Sequence, residues 1–147
     1  KKGKIGLCIL SSAKKRGFLA EPKFLTYKGF SVCDESDSGI QLWYLPFAKD
    51  AKKPDFKACA KHPHTDENGY VLYYTNQCPF TAKYVPIIEN TAKEHNIPFR
   101  AVHITTTEQA QNAPSPVTTY ALFYNGEYLT NEILSDKKFL KLIGQDG

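Results

Sequence analysis

The chain has 147 residues, 41% hydrophobic and 13% aromatic, enough for one average domain or two small ones with packed cores. No run approaches the ~18 consecutive apolar residues of a membrane span, and no basic, apolar and small-residue leader opens the sequence, so a soluble, cytoplasmic protein is expected. The net charge of +4 divides unevenly, with 13 Lys or Arg against 6 Asp or Glu in residues 1–61 and 6 against 9 in residues 62–147; this predicts two modules with different partners, the basic one facing solvent, a phosphate-rich ligand, nucleic acid or an acidic protein surface.

A sequence that starts at Lys1 and contains no methionine reads as a fragment or a processed product. Cys8, Cys33, Cys59 and Cys78 lack any short paired spacing, which in a chain of this class predicts thiols rather than a disulfide framework.

In the first module, Ile5-Gly6-Leu7-Cys8-Ile9-Leu10 is a continuous apolar run after a basic start, the pattern of a central strand buried on both faces. Residues 11–17 are polar and basic. Pro22 suits the first turn of a short helix over residues 22–28, which Gly29 would end as a left-handed cap. Residues 30–33 alternate as a strand, a turn-rich loop spans 34–39, and residues 40–47 form a third strand. One helix and three strands in so short a piece bury too little surface to stand alone, so docking on other sequence or on the second module is expected.

These residues resemble the C-terminal half of the GNAT acetyltransferase family. Lys4-Ile5-Gly6-Leu7-Cys8-Ile9-Leu10-Ser11-Ser12 is similar to its fifth strand, Lys23-Phe24-Leu25-Thr26-Tyr27-Lys28-Gly29-Phe30 to its Phe-Tyr-x-x-x-Gly-Phe helix end, and residues 39–47 to its last strand. The resemblance implies transfer of an acetyl group from acetyl-CoA to an amine by direct attack. The family's pyrophosphate loop, Gln/Arg-x-x-Gly-x-Gly/Ala, grips phosphate with backbone amides at a helix N-terminus and precedes the fifth strand, so the resemblance implies that residues 1–147 alone bind acetyl-CoA poorly. The family's general-acid tyrosine falls on Leu25. Tyr27 lies two residues on, about 200° round a helix, and is expected to pack the helix onto the sheet.

Between the modules, residues 48–68 turn polar, with Pro54 at a helix start and Phe56, Cys59 and Ala60 on one face of a short helix. Cys59, His62 and His64 have metal-ligating side chains, but their spacing matches no structural zinc pattern, and no metal is expected.

In the second module, residues 70–75 are aromatic and β-branched, as strands prefer. Cys78-Pro79-Phe80 turns the chain into a helix over residues 81–95, with Tyr84, Ile88, Thr91 or Ala92, and His95 on one side, Pro86 as an internal kink, and Asn96-Ile97-Pro98 as its stop. Residues 99–104 alternate as a strand, which makes a right-handed βαβ unit with parallel pairing the economical reading. A short helix over residues 107–113 and the prolines Pro114 and Pro116 follow. Residues 120–124 and 127–130 flank Asn125-Gly126, the signature of a type I′ hairpin. Ser135 caps a last helix over residues 136–143, whose Phe139, Leu140, Leu142 and Ile143 pack on the sheet before Gly144 ends it. His95 and His103 are expected at a helix end and on a strand, as structural residues. Strand alternation explains the tyrosines without a base-stacking platform.

This order, with a cysteine at the first strand-to-helix junction, resembles the thioredoxin and glutaredoxin superfamily. Cys78-Pro79-Phe80-Thr81 occupies its Cys-x-x-Cys site, Pro86 falls at the kink of its active-site helix, and Leu122-Phe123-Tyr124-Asn125-Gly126 is similar to its hairpin. A thiol at a helix N-terminus meets unpaired amide donors and the positive end of the dipole, which favours the thiolate. Thr81 in place of a second cysteine, and Thr118 in place of the superfamily's cis-proline with Pro116 two residues early, disfavour a dithiol cycle. What the resemblance leaves is a monothiol cycle centred on Cys78 with Thr81 donating a hydrogen bond to the sulfur, or a non-catalytic recognition module.

Taken together, the chain resembles the C-terminal part of YoaP-like GNAT proteins. The expectation is an α/β (α+β) chain in which residues 1–48 are the end of a GNAT domain, 49–68 a linker and 69–147 a thioredoxin-like βαβ-αββα domain. Acetyl-CoA is the implied donor and a small-molecule or protein amine the acceptor. A homodimer contact is an open partner class; membrane and nucleic acid are not expected.

Overall fold

The structure is a computed structural model that describes residues 3–144. It is mixed α/β with two separate sheets, and the chain divides into two compact units, Lys1–Pro63 and His64–Gly147. No described helix is long and apolar enough to cross a membrane.

The first unit holds β1 (Gly6–Ser12), α1 (Pro22–Tyr27), β2 (Ser31–Glu35), β3 (Ile40–Pro46) and α2 (Ala58–Lys61). Its antiparallel sheet runs β1-β3-β2. The apolar run of β1 therefore lies at an edge rather than at the centre, and Ile5 and Leu7 are 65% and 52% exposed. The central place belongs to β3, where Ile40, Leu42, Trp43 and Tyr44 are buried. Apolar composition reports a strand's preference for burial, but the pairing order decides which strand obtains it.

Helix α1 ends as expected and by a specific route. Gly29 takes φ +85°, its N–H donates to Thr26 O and that of Phe30 to Leu25 O, the double bond of a Schellman cap. Leu25 is the inward residue, and Tyr27, about 200° further round, is 83% exposed. The expected packing of Tyr27 on the sheet is not made; its ring lies beneath the Lys28 ammonium, 5.2 Å away.

Helix α2 is a single turn that does not begin at Pro54. Asp34 of β2 anchors the segment. Its Oδ2 accepts from Phe56 N–H at 2.9 Å, and its Oδ1 from Lys61 Nζ at 2.7 Å, tying the two ends of this segment to the strand around a single helical turn at Ala58–Lys61. Ser36 Oγ donates to Ala60 O, and Asp37 N–H to Lys61 O. The Lys61 ammonium, followed by the Phe56 amide, lowers the Asp34 carboxyl to about 2. A carboxylate lowered in the folded state contributes stability above its unfolded value, and this is lost as pH falls through the folded one. The melting midpoint of the first unit should therefore fall between about pH 4 and pH 2, and Asp34→Asn should flatten that limb; equal acid slopes in the two proteins would remove Asp34 as its source.

The second unit holds β4 (Tyr70–Tyr74), α3 (Pro79–Glu94), β5 (Phe99–His103), α4 (Thr107–Gln111), β6 (Tyr120–Tyr124), β7 (Glu127–Thr130) and α5 (Asp136–Leu142). Its sheet runs β5-β4-β6-β7, with β4 parallel to β5 and antiparallel to β6. The expected βαβ-αββα order is the order found. Leu72 opposite Leu122, with Val85, Ile88, Ala92 and Phe139, forms the main apolar cluster. The inward stripe of α3 is Thr81, Val85, Ile88, Thr91 and Ala92, so Val85 takes the place expected for Tyr84. In α5 Phe139 is buried, whereas Leu142 is 45% exposed.

The terminators are local. Asn96 sits at φ 53°, and Ile97 N–H donates to Ala92 O at 2.8 Å, closing α3. Thr106 and Gln109 form a full capping box on α4. Asn125 and Gly126 both have positive φ, as a type I′ turn requires. That turn is docked as well as tight: Asn125 Oδ1 accepts from Gly69 N–H at 2.7 Å, Asn125 N–H donates to Gly69 O, and Gly126 O accepts from Thr65 N–H.

Candidate functional site

The start of α3 carries the cysteine of the second unit, Cys78. Strand β4 delivers the chain to residues 75–77, and Cys78 is the N-cap of α3, extended at φ −111° and ψ 127°. Proline at the next position is pre-set for a first turn and has no amide to leave unpaired. No side chain caps this helix; Pro79 has no N–H and the Thr81 N–H turns back to Cys78 O, which leaves the Phe80 amide of the first turn. Cys78 is half-buried. Among the described residues no disulfide is present, and Cys8 is the exposed thiol.

Thr81 does not act as expected. Its backbone N–H donates to Cys78 O at 3.0 Å, but its side chain is fully buried and its hydroxyl has no hydrogen-bond partner, the Cys78 sulfur included. The inward stripe of α3 explains this: one turn past the N-cap, position 81 already faces the core, whereas Cys78 stands at the rim. A buried hydroxyl without a partner costs about 1–3 kcal/mol. Thr81→Val, which keeps the shape and drops the hydroxyl, should raise stability by about 1 kcal/mol, some 4–8 °C in a domain of this size. Thermal melts check this, and the Cys78 alkylation rate should not change.

Nearby, Thr75 N–H donates to Thr119 O, so the segment after Pro116 borders the strand leading to Cys78. That segment is held by Asn131, which is 2% exposed. Its Nδ2 donates to Tyr120 O at 2.7 Å and to Ser115 Oγ at 3.2 Å, and its Oδ1 accepts from Tyr128 O–H at 2.5 Å. Asn131 was not legible as a site residue; a single asparagine after a strand has the signature of any turn. The peptide before Thr118 is trans, as are all described peptides.

The remaining candidates fall elsewhere. His62 Nδ1 pairs with Asp37 at 2.8 Å, and His64 lies 3.8 Å from Asp66. Among the described residues no group of three His, Cys, Asp or Glu is placed to hold a metal ion. His95 is the exposed C-cap of α3, and His103 stacks on Tyr74 with ring centroids 4.8 Å apart. Leu25 is a core residue.

Comparison with known proteins bears on both units. Residues 98–141 match the family described as YoaP-like. No solved structure matches the chain. The chain spans 56% of the length of a curated relative that it matches, the "uncharacterized N-acetyltransferase YoaP" of Bacillus subtilis (strain 168). It is 31% identical to that protein over 141 residues, 96% of its own length, so its similarity to an N-acetyltransferase of the YoaP type runs through both units.

Proposed function

We propose that the chain is the C-terminal part of a YoaP-like GNAT-family N-acetyltransferase. The observation that carries this reading is the 31% identity to YoaP, sustained over 96% of the chain rather than confined to one unit. The β1, α1, β2, β3 arrangement agrees with the end of a GNAT domain. In the second unit the order β5-β4-β6-β7, with one parallel and two antiparallel pairings, supports a thioredoxin-like domain.

In the reaction so assigned, the acceptor's amine nitrogen attacks the thioester carbonyl of acetyl-CoA, the carbon–sulfur bond breaks, and the thiolate leaves with the electron pair and takes up the proton lost by nitrogen. Residues 1–147 contain no Gln/Arg-x-x-Gly-x-Gly/Ala stretch, so this reading assigns the pyrophosphate grip to sequence outside them. The test uses the full-length protein: acetyl-CoA should give a heat of binding, and a panel of amines should release free CoA thiol. No heat with acetyl-CoA would sink the proposal.

One observation favours a second reading, a monothiol oxidoreductase in the second unit. Cys78 is half-buried at the N-cap of a 16-residue helix without a side-chain cap, a place from which its sulfur can attack a disulfide. Its alkylation at pH 7 should then outpace that of a free thiol about tenfold and vanish in Cys78→Ser. A rate equal to free glutathione's would leave the second unit as a recognition module.

A further inference from the structure

The second unit's sheet has one covered rim and one open rim. At β7 the chain covers itself: His64 forms an antiparallel bridge with Glu127, and Thr65 N–H donates to Gly126 O. At the other rim, β5 pairs with β4 alone among the described residues. Pro98 O accepts from Tyr70 N–H, and Ile104 N–H donates to Tyr74 O, so the even-numbered residues of this stretch serve β4. By alternation, Phe99, Ala101 and His103 turn their N–H and C=O groups outward.

A row of unpaired main-chain groups is a template for another strand, and sheets blunt such rims with lysine, proline, bulges or a covering segment. Phe99–His103 contains neither lysine nor proline, and its register with β4 runs without a shift. Its one permanent charge, Arg100, is already neutralised by Glu67, to which the guanidinium donates through Nε at 2.8 Å. His103 is held flat against Tyr74.

We propose that β5 pairs antiparallel with β5 of a second copy of this chain, about a two-fold axis at Ala101, joining two four-stranded sheets into one. The sequence of the strand is complementary to itself in that register. Ala101 meets Ala101 of the second copy, Phe99 meets His103 as an aromatic pair, and Arg100 meets Val102, so no like charges oppose. The charges on α3, which packs over β5, agree. Glu89 lies near Tyr74, the residue stacked on His103, and Lys93 follows one turn later; both are exposed. An antiparallel mate sets Glu89 against Lys93 and Lys93 against Glu89 across the axis. Assembly also stops at two, because the joined sheet ends on each side at β7, whose rim is covered. The two Cys78 turns are carried to opposite ends of the joined sheet. This inference rests on the second sheet alone and is independent of the acetyltransferase reading.

The test is analytical sedimentation of the 147-residue chain over a concentration series, with amide hydrogen exchange read residue by residue. Mass should rise from one chain to two. The amides of Phe99, Ala101 and His103 should gain protection with concentration, while those of β6, paired on both sides, should not change. Ala101→Cys, supplied with oxidised glutathione, should yield a disulfide between copies, identified by the mass of the linked peptide. Directly opposed residues of a hydrogen-bonded antiparallel pair stand about 5.5 Å apart at Cα, within disulfide reach. Val102→Cys should not cross-link, because two copies of residue 102 lie beyond the ~7 Å limit in this register. Ala101→Pro removes an outward N–H without touching the β4 ladder and should weaken dimerisation at least about tenfold. His103→Lys changes only an exposed side chain and should weaken it about threefold, which keeps the test decisive if the proline variant misfolds. Four results would overturn the proposal: a single-chain mass up to about 1 mM, growth beyond two chains, a dimer indifferent to both substitutions, or cross-linking at Val102 rather than Ala101.

Discussion

Phe139→Ala should destabilise the second unit by about 3–5 kcal/mol, the range for deleting a large aromatic from a closed core. Phe139 is fully buried, and its ring meets Tyr70 edge-on at 5.7 Å and Phe99 edge-on at 5.8 Å. It is thus the point where α5 is fastened to β4 and β5, two strands that already pair in parallel. Relaxation cannot close the cavity cheaply, because the neighbouring Leu72, Ile88 and Leu122 are themselves at zero exposure on a hydrogen-bonded sheet and a 16-residue helix. Chemical denaturation of the variant should show the second unit's transition at a lower midpoint, and Phe139→Leu should recover part of the loss. A cost below about 1 kcal/mol would mean that α5 is not integral to the core.

How much of this was legible in the sequence depended on whether the signal was local. Gly29, Asn125-Gly126 and Ser135 each specify a backbone conformation or a cap by their own chemistry, and each sits where that chemistry requires. The Thr106-x-x-Gln109 capping box was equally local and could have been read. What failed was pairwise information. The apolar run at Ile5 to Leu10 says that a strand prefers burial, but the β1-β3-β2 order that leaves it at an edge is set by which strands meet. Pro54 is a good first helical residue, yet α2 begins only at Ala58, in a segment that Asp34, twenty positions before Pro54, ties to β2 through the Phe56 amide and the Lys61 ammonium. In α3 the inward stripe was displaced by one residue, Val85 for Tyr84, because a tyrosine's apolar body fits the periodic pattern while its hydroxyl draws it toward water. For the candidate site, Cys78 was recognisable from its Cys-Pro turn. The burial of Thr81, which removes it from the sulfur, follows from helical phase around a core that only the folded sheet defines.

Asn131→Ala should cost about 3 kcal/mol and should also alter the surroundings of Cys78. Asn131 is nearly fully buried, and its amide serves Tyr120 O, Ser115 Oγ and Tyr128 O–H at once. Removing it deletes one buried hydrogen bond from each of Tyr120 O, Ser115 Oγ and Tyr128 O–H, and a hydrogen bond so lost costs about 1 kcal/mol. Ser115 Oγ also accepts from Val117 N–H, so the loss passes into the segment that ends at Thr119, whose carbonyl accepts from Thr75 N–H. Thr75 lies three residues before Cys78, which makes Asn131 a positioning residue for the Cys78 turn. The variant should therefore melt at a lower temperature and, well below its midpoint, show faster alkylation of Cys78 as residues 115–119 loosen. Phe139→Ala serves as the comparison, since it lowers stability by a similar amount through α5. If both variants raise the alkylation rate equally at matched stability, Asn131 acts only through global unfolding; if Asn131→Ala alone raises it, the asparagine network sets the environment of the thiol.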